Sequence, residues 1–595
     1  MRKLLTVLTG LLLMGLPHAA AADFETATEA VKNMGIGWNL GNTLEANNQT
    51  VTSDITRDDY WGQQGLESEN CWGQPSAKPE LFRMMKDAGF GAIRVPVTWY
   101  NHMDKDGNVD AAWMARVHEV VDYVINQGLY CIINVHHDTG ADSGDKQGNV
   151  THSHWIHASE TNYDNNKARF EFLWKQIAEE FKDYDEKLLF ESYNEMLDTV
   201  YTANRDRNGN ITGFSWGSWC FASFNTPDKY DQLKAASAYK GINGYAQSFV
   251  TTVRQTGGNN ASRNLVVNTY GACCGSGTWN NHLKDPLSQL TIPTDEVENH
   301  LIVQVHDYPN IEGGMSGVKK EIDDMVAAWN THIISKGIPM ILGEWGTANV
   351  DKGDGKTDYD VRRDVMFEFV DYMVQKCKES NVATFWWMGL TDGINRSLPA
   401  FNQADLAECL VKAYHGSSFN PVLPQPSEFT VSFAVDFNQQ WSELYLYNGG
   451  SFTSADYSSA VLQLEEAPAD GMLQWKVYCS KYSSGYTRDI TSAESTLAFA
   501  ASLGTINKIT LQCKQNSGRV RVKSAKLKTR SGEEKPCSPS VSWGCTLSDV
   551  TATTGISGVK QEMPMDGNIY DLTGRRLNGQ PAKGIYVKNG KKVVY

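Results

Sequence analysis

Two hydrophobic rhythms divide this chain. From about residue 30 to 420, short continuous apolar runs alternate with stretches whose apolar positions recur every three or four residues. The runs are "GIGWNLG" (35–41), "GAIRVPV" (91–97), "YCIINVHH" (130–137), "LLFESYNE" (188–195), "NLVVNTY" (264–270), "LIVQVHDY" (301–308), "PMILGEWG" (339–346) and "ATFWWMG" (383–389). Between them, "SAKPELFRMMKDAG" puts Leu81, Met84, Met85 and Ala88 on one helical face, with Ser76 as the expected cap and Gly89 as the stop. "ARFEFLWKQIAEEF" does the same with Phe170, Leu173, Trp174, Ile177 and Phe181. Apolar strands alternating with amphipathic helices predict a parallel sheet covered by helices. Eight such units predict a closed (β/α)8 barrel. An open doubly wound sheet is the competing architecture, but no GxGxxG follows the first strand to support it.

At "NPVLPQPSEF" the pattern breaks, because Pro421, Pro424 and Pro426 forbid helix and strand alike. Beyond the break the period is two. Phe429, Val431, Phe433, Val435 and Phe437 share one face, as do Leu473, Trp475, Val477 and Cys479, and Val520 and Val522 follow. This predicts a small antiparallel sandwich over about 428–532. The remainder, 533–595, predicts two or three short strands with Asn-Gly turns at 578–579 and 589–590. The expected order is thus a leader (1–22), the barrel (23–420), a Pro-rich linker (421–427), the sandwich (428–532), and a linker with a β tail (533–595).

The leader reading rests on Arg2 and Lys3, an apolar stretch from Leu4 to about Leu16, and small residues up to Ala22. That is the layout of a signal peptide, and it predicts a secreted or cell-surface protein. No other segment is apolar enough to cross a bilayer. The chain holds 54 basic and 69 acidic residues, net −15, and loss of Arg2 and Lys3 with the leader takes it to −17. Such a balance argues against nucleic acid or an anionic membrane as partner. Seventeen Trp and twenty-five Tyr point to a ligand with flat apolar faces, as sugars have. Eleven Cys permit disulfides in an exported chain, with Cys537–Cys545 the expected pair.

Chemistry gathers at the strand ends. Arg94 ends the second strand, His136 and His137 the third, and Asn194 and Glu195 the fourth. His306 and Tyr308, at i and i+2 on the sixth, face the same side. Glu344 ends the seventh and Trp387 the eighth. In a parallel barrel the C-terminal strand ends build the active site. Two carboxylates there suit acid-assisted displacement at a sugar carbon: one holds a proton for the leaving oxygen, and the other stays ionised to attack. "HSHWIH" (152–157) and "HHD" (136–138) are of metal-ligating types, but that reaction needs no metal and no cofactor.

"GIGWNLGNTLEA", "IRVPVTW", "INVHHD", "NE" after the fourth strand, "VHDY", "LGEWG" and "FWWMG" resemble glycoside hydrolase family five, the large cellulase family, over roughly 30–415. The resemblance implies a TIM-barrel glycosidase of retaining mechanism, with Glu195 as acid/base and Glu344 as nucleophile. It implies that Asn194 grips the sugar 2-hydroxyl, that Arg94, His136, His306 and Tyr308 surround the reacting ring, and that Trp387 lies beneath it. His137 and Trp38 are assigned to the substrate cleft too, with the barrel rim and the barrel core as their alternative places. The expected substrate is a β-1,4-glucan cut internally. Met196 stands where many members have Pro, and Met388 where many have Asp, which leaves mannan and xyloglucan open. A barrel that only binds carbohydrate is disfavoured because both glutamates and their supports are present. The long segment after Glu195, with Trp216, Trp219, Phe221 and Phe224, is expected to wall the cleft, with a hydrophobic patch on the barrel as its alternative, and the sandwich, with Trp441, Tyr445 and Tyr447, to bind polysaccharide or act as a spacer. The tail resembles the C-terminal sorting segments of exported Bacteroidetes proteins, which implies export machinery as a partner.

Overall fold

The computed structural model describes residues 24–554 apart from 48–54, 56–59, 141–142, 145–149, 152–153, 199–201, 206–210, 216–231, 276–284, 349–356, 426–428, 533, 538 and 542–543. Beyond 554 it describes 569–570, 585–588 and 591–594. The expected leader, the segment with Trp216, Trp219, Phe221 and Phe224, and the two Asn-Gly turns lie outside the described residues.

All eight expected strands form: β1 (Ile36–Asn39), β2 (Ala92–Val95), β3 (Tyr130–Asn134), β4 (Leu188–Glu191), β5 (Leu265–Cys273), β6 (Leu301–Asp307), β7 (Met340–Trp345) and β8 (Ala383–Trp387). Each pairs in parallel with the next, and β8 closes on β1. A helix follows every strand: Pro79–Ala88, Ala111–Ile125, Glu160–Glu180, Gln232–Gln255, Asp285–Gln289, Met315–His332, Arg363–Glu379 and Ala404–His415. The first begins later than expected. Lys78 is its N-cap and Pro79 fills the first turn, where its missing N–H costs nothing, so Ser76 is not the cap. Gly89 ends it at φ +108°, in the left-handed region that glycine enters freely.

Strand periodicity sorts the barrel residues into two cores. Ile93, Val95, Ile133, Phe190, Val303 and Leu342 point outward and are buried with helix residues such as Leu81, Val117, Leu173 and Phe369. Ala92, Ile132, Leu189, Val266, Ile302 and Ile341 point inward, where Ala27, Val31 and Met34 of the leading helix α1 (Ala27–Met34) close the N-terminal end. Two residues further along those same strands, the inward positions are Arg94, Asn134, Glu191, Asn268 and Gln304, all fully or nearly fully buried. The barrel is thus apolar at its base and polar at its C-terminal mouth.

The second unit is a two-sheet antiparallel sandwich. One sheet is ordered Glu494–Ala498, Tyr457–Leu464, Gly518–Thr529, Phe429–Phe437, Cys545–Thr554; the other Tyr482–Ile490, Leu473–Cys479, Thr505–Cys513, Glu443–Thr453, Ser540–Val541. Its core takes Phe433, Val435, Phe437, Leu473, Trp475, Val477, Val520 and Val522 as the alternation predicts. The expected end at 532 falls short, because Cys545–Thr554 pairs along the whole of Phe429–Phe437 and completes the sheet. The expected Cys537–Cys545 bridge does not form: Cys537 is a buried free thiol, with its pKa pushed up to about 12 by desolvation. Three tail strands, Ile569–Tyr570, Ile585–Lys588 and Lys591–Val594, pair among themselves. Among the described residues no helix is long and apolar enough to cross a membrane.

Candidate active site

Arg94 is the hub of the mouth. Registers Asn39↔Arg94 and Asn134↔Glu191 set these four inward residues at neighbouring levels. The Arg94 guanidinium donates to both Glu191 carboxylate oxygens, at 2.6 and 2.7 Å, in a fork that neutralises a pair wholly out of water. Its remaining donors reach Asn39 Oδ1 at 3.0 Å, Asn194 Oδ1 at 2.9 Å and Glu344 Oε1 at 2.7 Å. Asn39 is itself fixed by the Gly343 and Phe385 carbonyls, and Asn134 Nδ2 donates to Glu191 at 3.0 Å. Burial by itself would raise the Glu191 carboxyl, but the charge and hydrogen bonds of Arg94 outweigh it and hold the group below its ordinary value.

Glu344 follows Gly343 on β7, where the absent side chain admits Gln304 so closely that a Cβ would stand 2.2 Å from its Oε1. Gln304 Nε2 lies 3.1 Å from His306 Nε2, and His306 Nδ1 lies 2.8 Å from Glu195 Oε1 and 3.6 Å from Glu344 Oε2. The Tyr308 hydroxyl donates to Glu344 Oε2 at 2.9 Å. One oxygen from each glutamate and one ring nitrogen of His306 all lie within 4.8 Å of one another. Glu195 is about one third exposed, whereas Glu344 is buried. Desolvation raises the Glu344 carboxyl above its ordinary value and the charge of Glu195 adds to this, while His306 and Arg94 oppose it. Raised is not the same as neutral: a carboxylate accepting from a guanidinium and a phenol is matched by donors on both oxygens. The phenol of Tyr308 is pushed up by burial and the neighbouring glutamates, so it stays a donor.

His136 lies with Nε2 at 3.9 Å from Glu344 Oε1, its ring parallel to that of half-buried Trp387 at 6.1 Å. Burial pushes its pKa far down, so it is a neutral ring. The structure thus brings together Arg94, His136, Asn194, Glu195, His306, Tyr308, Glu344 and Trp387. His137 sits one ring further out, against Trp72 at 5.3 Å, and makes no bond to either glutamate. Trp38 does not belong in the cleft. It is fully buried, with its Nε1 on the Met388 carbonyl at 3.4 Å and the Arg396 guanidinium 5.1 Å over its ring. At its position β1 turns the side chain outward, into the core between strands and helices.

Sequence reasoning passed over Glu191, Asn39, Asn134 and Gln304. The signal was there for the first: a glutamate inside "LLFE" is buried and must find a cation. Arg94, inside "AIRV", is the matching oddity.

Two carboxylates brought together at the C-terminal mouth of a closed (β/α)8 barrel, with the Trp387 ring beside them, are the arrangement that glycoside cleavage uses. Residues 46–391 match the Cellulase family (glycosyl hydrolase family 5), and the chain belongs to that family; it is a glycoside hydrolase. It is 31% identical over 403 residues to endoglucanase B of Neocallimastix patriciarum, covering 66% of this chain and 71% of that one. Among solved structures, a broad specificity endoglucanase from an uncultured bacterium is 57% identical, with 66% of this chain and 96% of that one covered and a TM-score of 0.57. A family 5 enzyme from Prevotella bryantii B14, solved with a xyloglucan tetradecasaccharide, is 36% identical over 66% of this chain and 99% of that one, TM-score 0.53.

Proposed function

We propose that the protein is an exported endo-β-1,4-glucanase that cuts internal bonds with retention of configuration, Glu344 attacking the anomeric carbon and Glu195 serving as acid and then base. The observation that supports the mechanism is the closeness of the two carboxylates, with one oxygen of each within 4.8 Å of one oxygen of the other. Inverting enzymes need about 6.5–9.5 Å to seat a water between the carboxyl groups, whereas retaining ones need about 5–5.5 Å. The donors support this division of roles. Arg94 and Tyr308 both donate to Glu344 and stabilise it as an anion, so the proton for the leaving oxygen comes from the more exposed Glu195. Asn194 Oδ1 is taken by Arg94, which leaves its Nδ2 to meet the sugar 2-hydroxyl. Trp387 supplies the apolar floor, and His136 and His306 border the ring.

The substrate part of the proposal is supported by the endoglucanases among the relatives. A decorated β-1,4-glucan is the second reading, favoured by the likeness to the xyloglucan-bound Prevotella enzyme. Reducing-sugar release from carboxymethylcellulose, glucomannan, mannan and xyloglucan decides between them. Export rests on the leader-like start, and the sorting role of the tail on its resemblance alone.

Retention is checked by proton NMR of the first products, which should carry the β-anomer. Initial α-anomer rules the double displacement out. The acid limb of kcat/KM should lie at higher pH than an ordinary glutamate sets, because the raised Glu344 must be ionised to attack and activity is lost as pH falls through its pKa. Tyr308→Phe removes a donor to the anion and should move that limb further up; an unmoved limb contradicts the assignment.

A further inference from the structure

Between β8 and the last barrel helix, Ala404–His415, the connecting loop reaches into the sandwich. Ile394, the first residue of the short helix Ile394–Ser397, and Leu398, its C-cap, are buried as members of the sandwich's apolar core, with Phe433, Leu444 and Leu511. The Ile394 amide donates to the Pro539 carbonyl at 2.8 Å. Arg396, on the same short helix, runs back under the cleft. Its buried guanidinium donates to the carbonyls of Thr391 at 2.9 Å and Gly41 at 2.8 Å and to the Thr43 hydroxyl at 2.9 Å, and covers the Trp38 ring. Gly41 abuts the sugar platform: a Cβ on it would stand 3.1 Å from the Trp387 ring. From the other side Gln74 holds the loop, donating to Asp392 Oδ1 at 3.2 Å and accepting from the Gly393 amide at 3.0 Å.

The connection to the sandwich is not a free tether either. The Phe401 amide donates to the Pro424 carbonyl at 2.8 Å, so the Pro-rich stretch is laid against the barrel. A module that raises effective concentration does so from a linker free to search. A domain whose core contains two barrel side chains cannot move without uncovering them.

We propose that the sandwich is a fixed buttress for the substrate cleft. Through Ile394, Leu398 and Arg396, which are positioning residues, it sets the place of Gly41 and Trp387 and hence the barrel's own affinity for sugar. The loop between β8 and its helix has Gly389 at φ +68° and Gly393 at φ +55° and little regular structure of its own, so these contacts decide where it lies. The substrate named in the test rests on the glucanase reading above.

The test uses the full chain and two substrates, soluble cellohexaose and insoluble cellulose. Arg396→Ala is expected to raise KM for cellohexaose about tenfold, the factor that about 1.4 kcal/mol makes in a binding constant. Its kcat should stay within about twofold, because Arg94 and Tyr308 still hold Glu344 and His306 still meets Glu195. Arg396→Lys, which keeps a donor near Gly41, should recover part of the KM. Ile394→Asp puts a charge into the sandwich core and should raise the same KM; Leu398→Ala serves as the milder variant if that one does not fold. A sugar-binding module would instead lose activity on insoluble cellulose alone, with KM for cellohexaose unchanged, and that result overturns the buttress. So does a fall in kcat at constant KM in Arg396→Ala, or no recovery with lysine. If the wild type cuts another glycan of the panel and not cellohexaose, the glucanase reading fails by itself, and the same variants are read on oligomers of that glycan.

Discussion

Glu344→Ala is expected to abolish cleavage of polysaccharide and of an activated aryl glycoside alike, because it removes the proposed nucleophile. Glu195→Ala should behave differently. In the proposed mechanism Glu195 donates a proton to the leaving oxygen in the first step, and a dinitrophenolate needs little such help. Polysaccharide cleavage should therefore drop by about 10²–10⁴-fold, the usual worth of a general acid. From dinitrophenyl cellobioside the variant should still release a burst of phenolate and then stall, since no base activates water against the glycosyl-enzyme. Azide needs no base and should restore turnover, giving a β-glycosyl azide. The geometry motivates this division: Glu344 is buried and bound by Arg94 and Tyr308, whereas Glu195 is partly exposed on His306. A burst kept by Glu344→Ala and lost by Glu195→Ala reverses the roles.

The second large effect lies beneath Glu195 and Glu344. Glu191→Ala leaves the Arg94 guanidinium buried without its forked partner, in a place water does not reach. Breaking a buried pair by removing one member costs about 3–5 kcal/mol, far more than an exposed pair is worth. Stability to denaturant should fall by that amount at neutral pH. Activity should fall further than the unfolded fraction explains, because Arg94 also orients Asn194 and Glu344. The folded Glu191 carboxyl lies below its ordinary value, so the stabilisation is complete at pH above the unfolded value and is lost as pH falls through the folded one. The gap between wild type and variant should accordingly narrow in acid. A loss under about 1 kcal/mol, the scale of surface pairs, would show that the Arg94–Glu191 pair is not the keystone of the mouth.

The barrel was legible in the sequence because its strands are apolar on both faces and its helices on one, a contrast that survives without coordinates. The meeting of two glutamates at the mouth was legible for a related reason. Glu195 and Glu344 stand where continuous apolar runs stop, and in a parallel barrel all such stops meet at one mouth. The same logic misplaced Trp38. A strand buried on both faces gives no alternation to show which residues face the axis, and β1 turns Trp38 outward while Asn39, beside it, reaches Arg94. The sandwich boundary failed for another reason: Cys545–Thr554 is separated in sequence from the strand it completes, and pairing at that distance leaves no local signature.

The sequence by itself determined the number and order of the barrel units, the alternating faces of the sandwich, and the residue types available for chemistry. These are consequences of local period and of where apolar runs end, and each is carried by a stretch short enough to read. Only the tertiary structure decided which of those residues meet. The fork between Arg94 and Glu191 joins residues 97 positions apart, and the guanidinium of Arg94 reaches Glu344 across 250. The passage of Ile394 and Leu398 into the second core joins two units that the sequence presents as separate. Such contacts depend on barrel closure and on one domain packing against another, and those geometries arise only when distant stretches share a common interior.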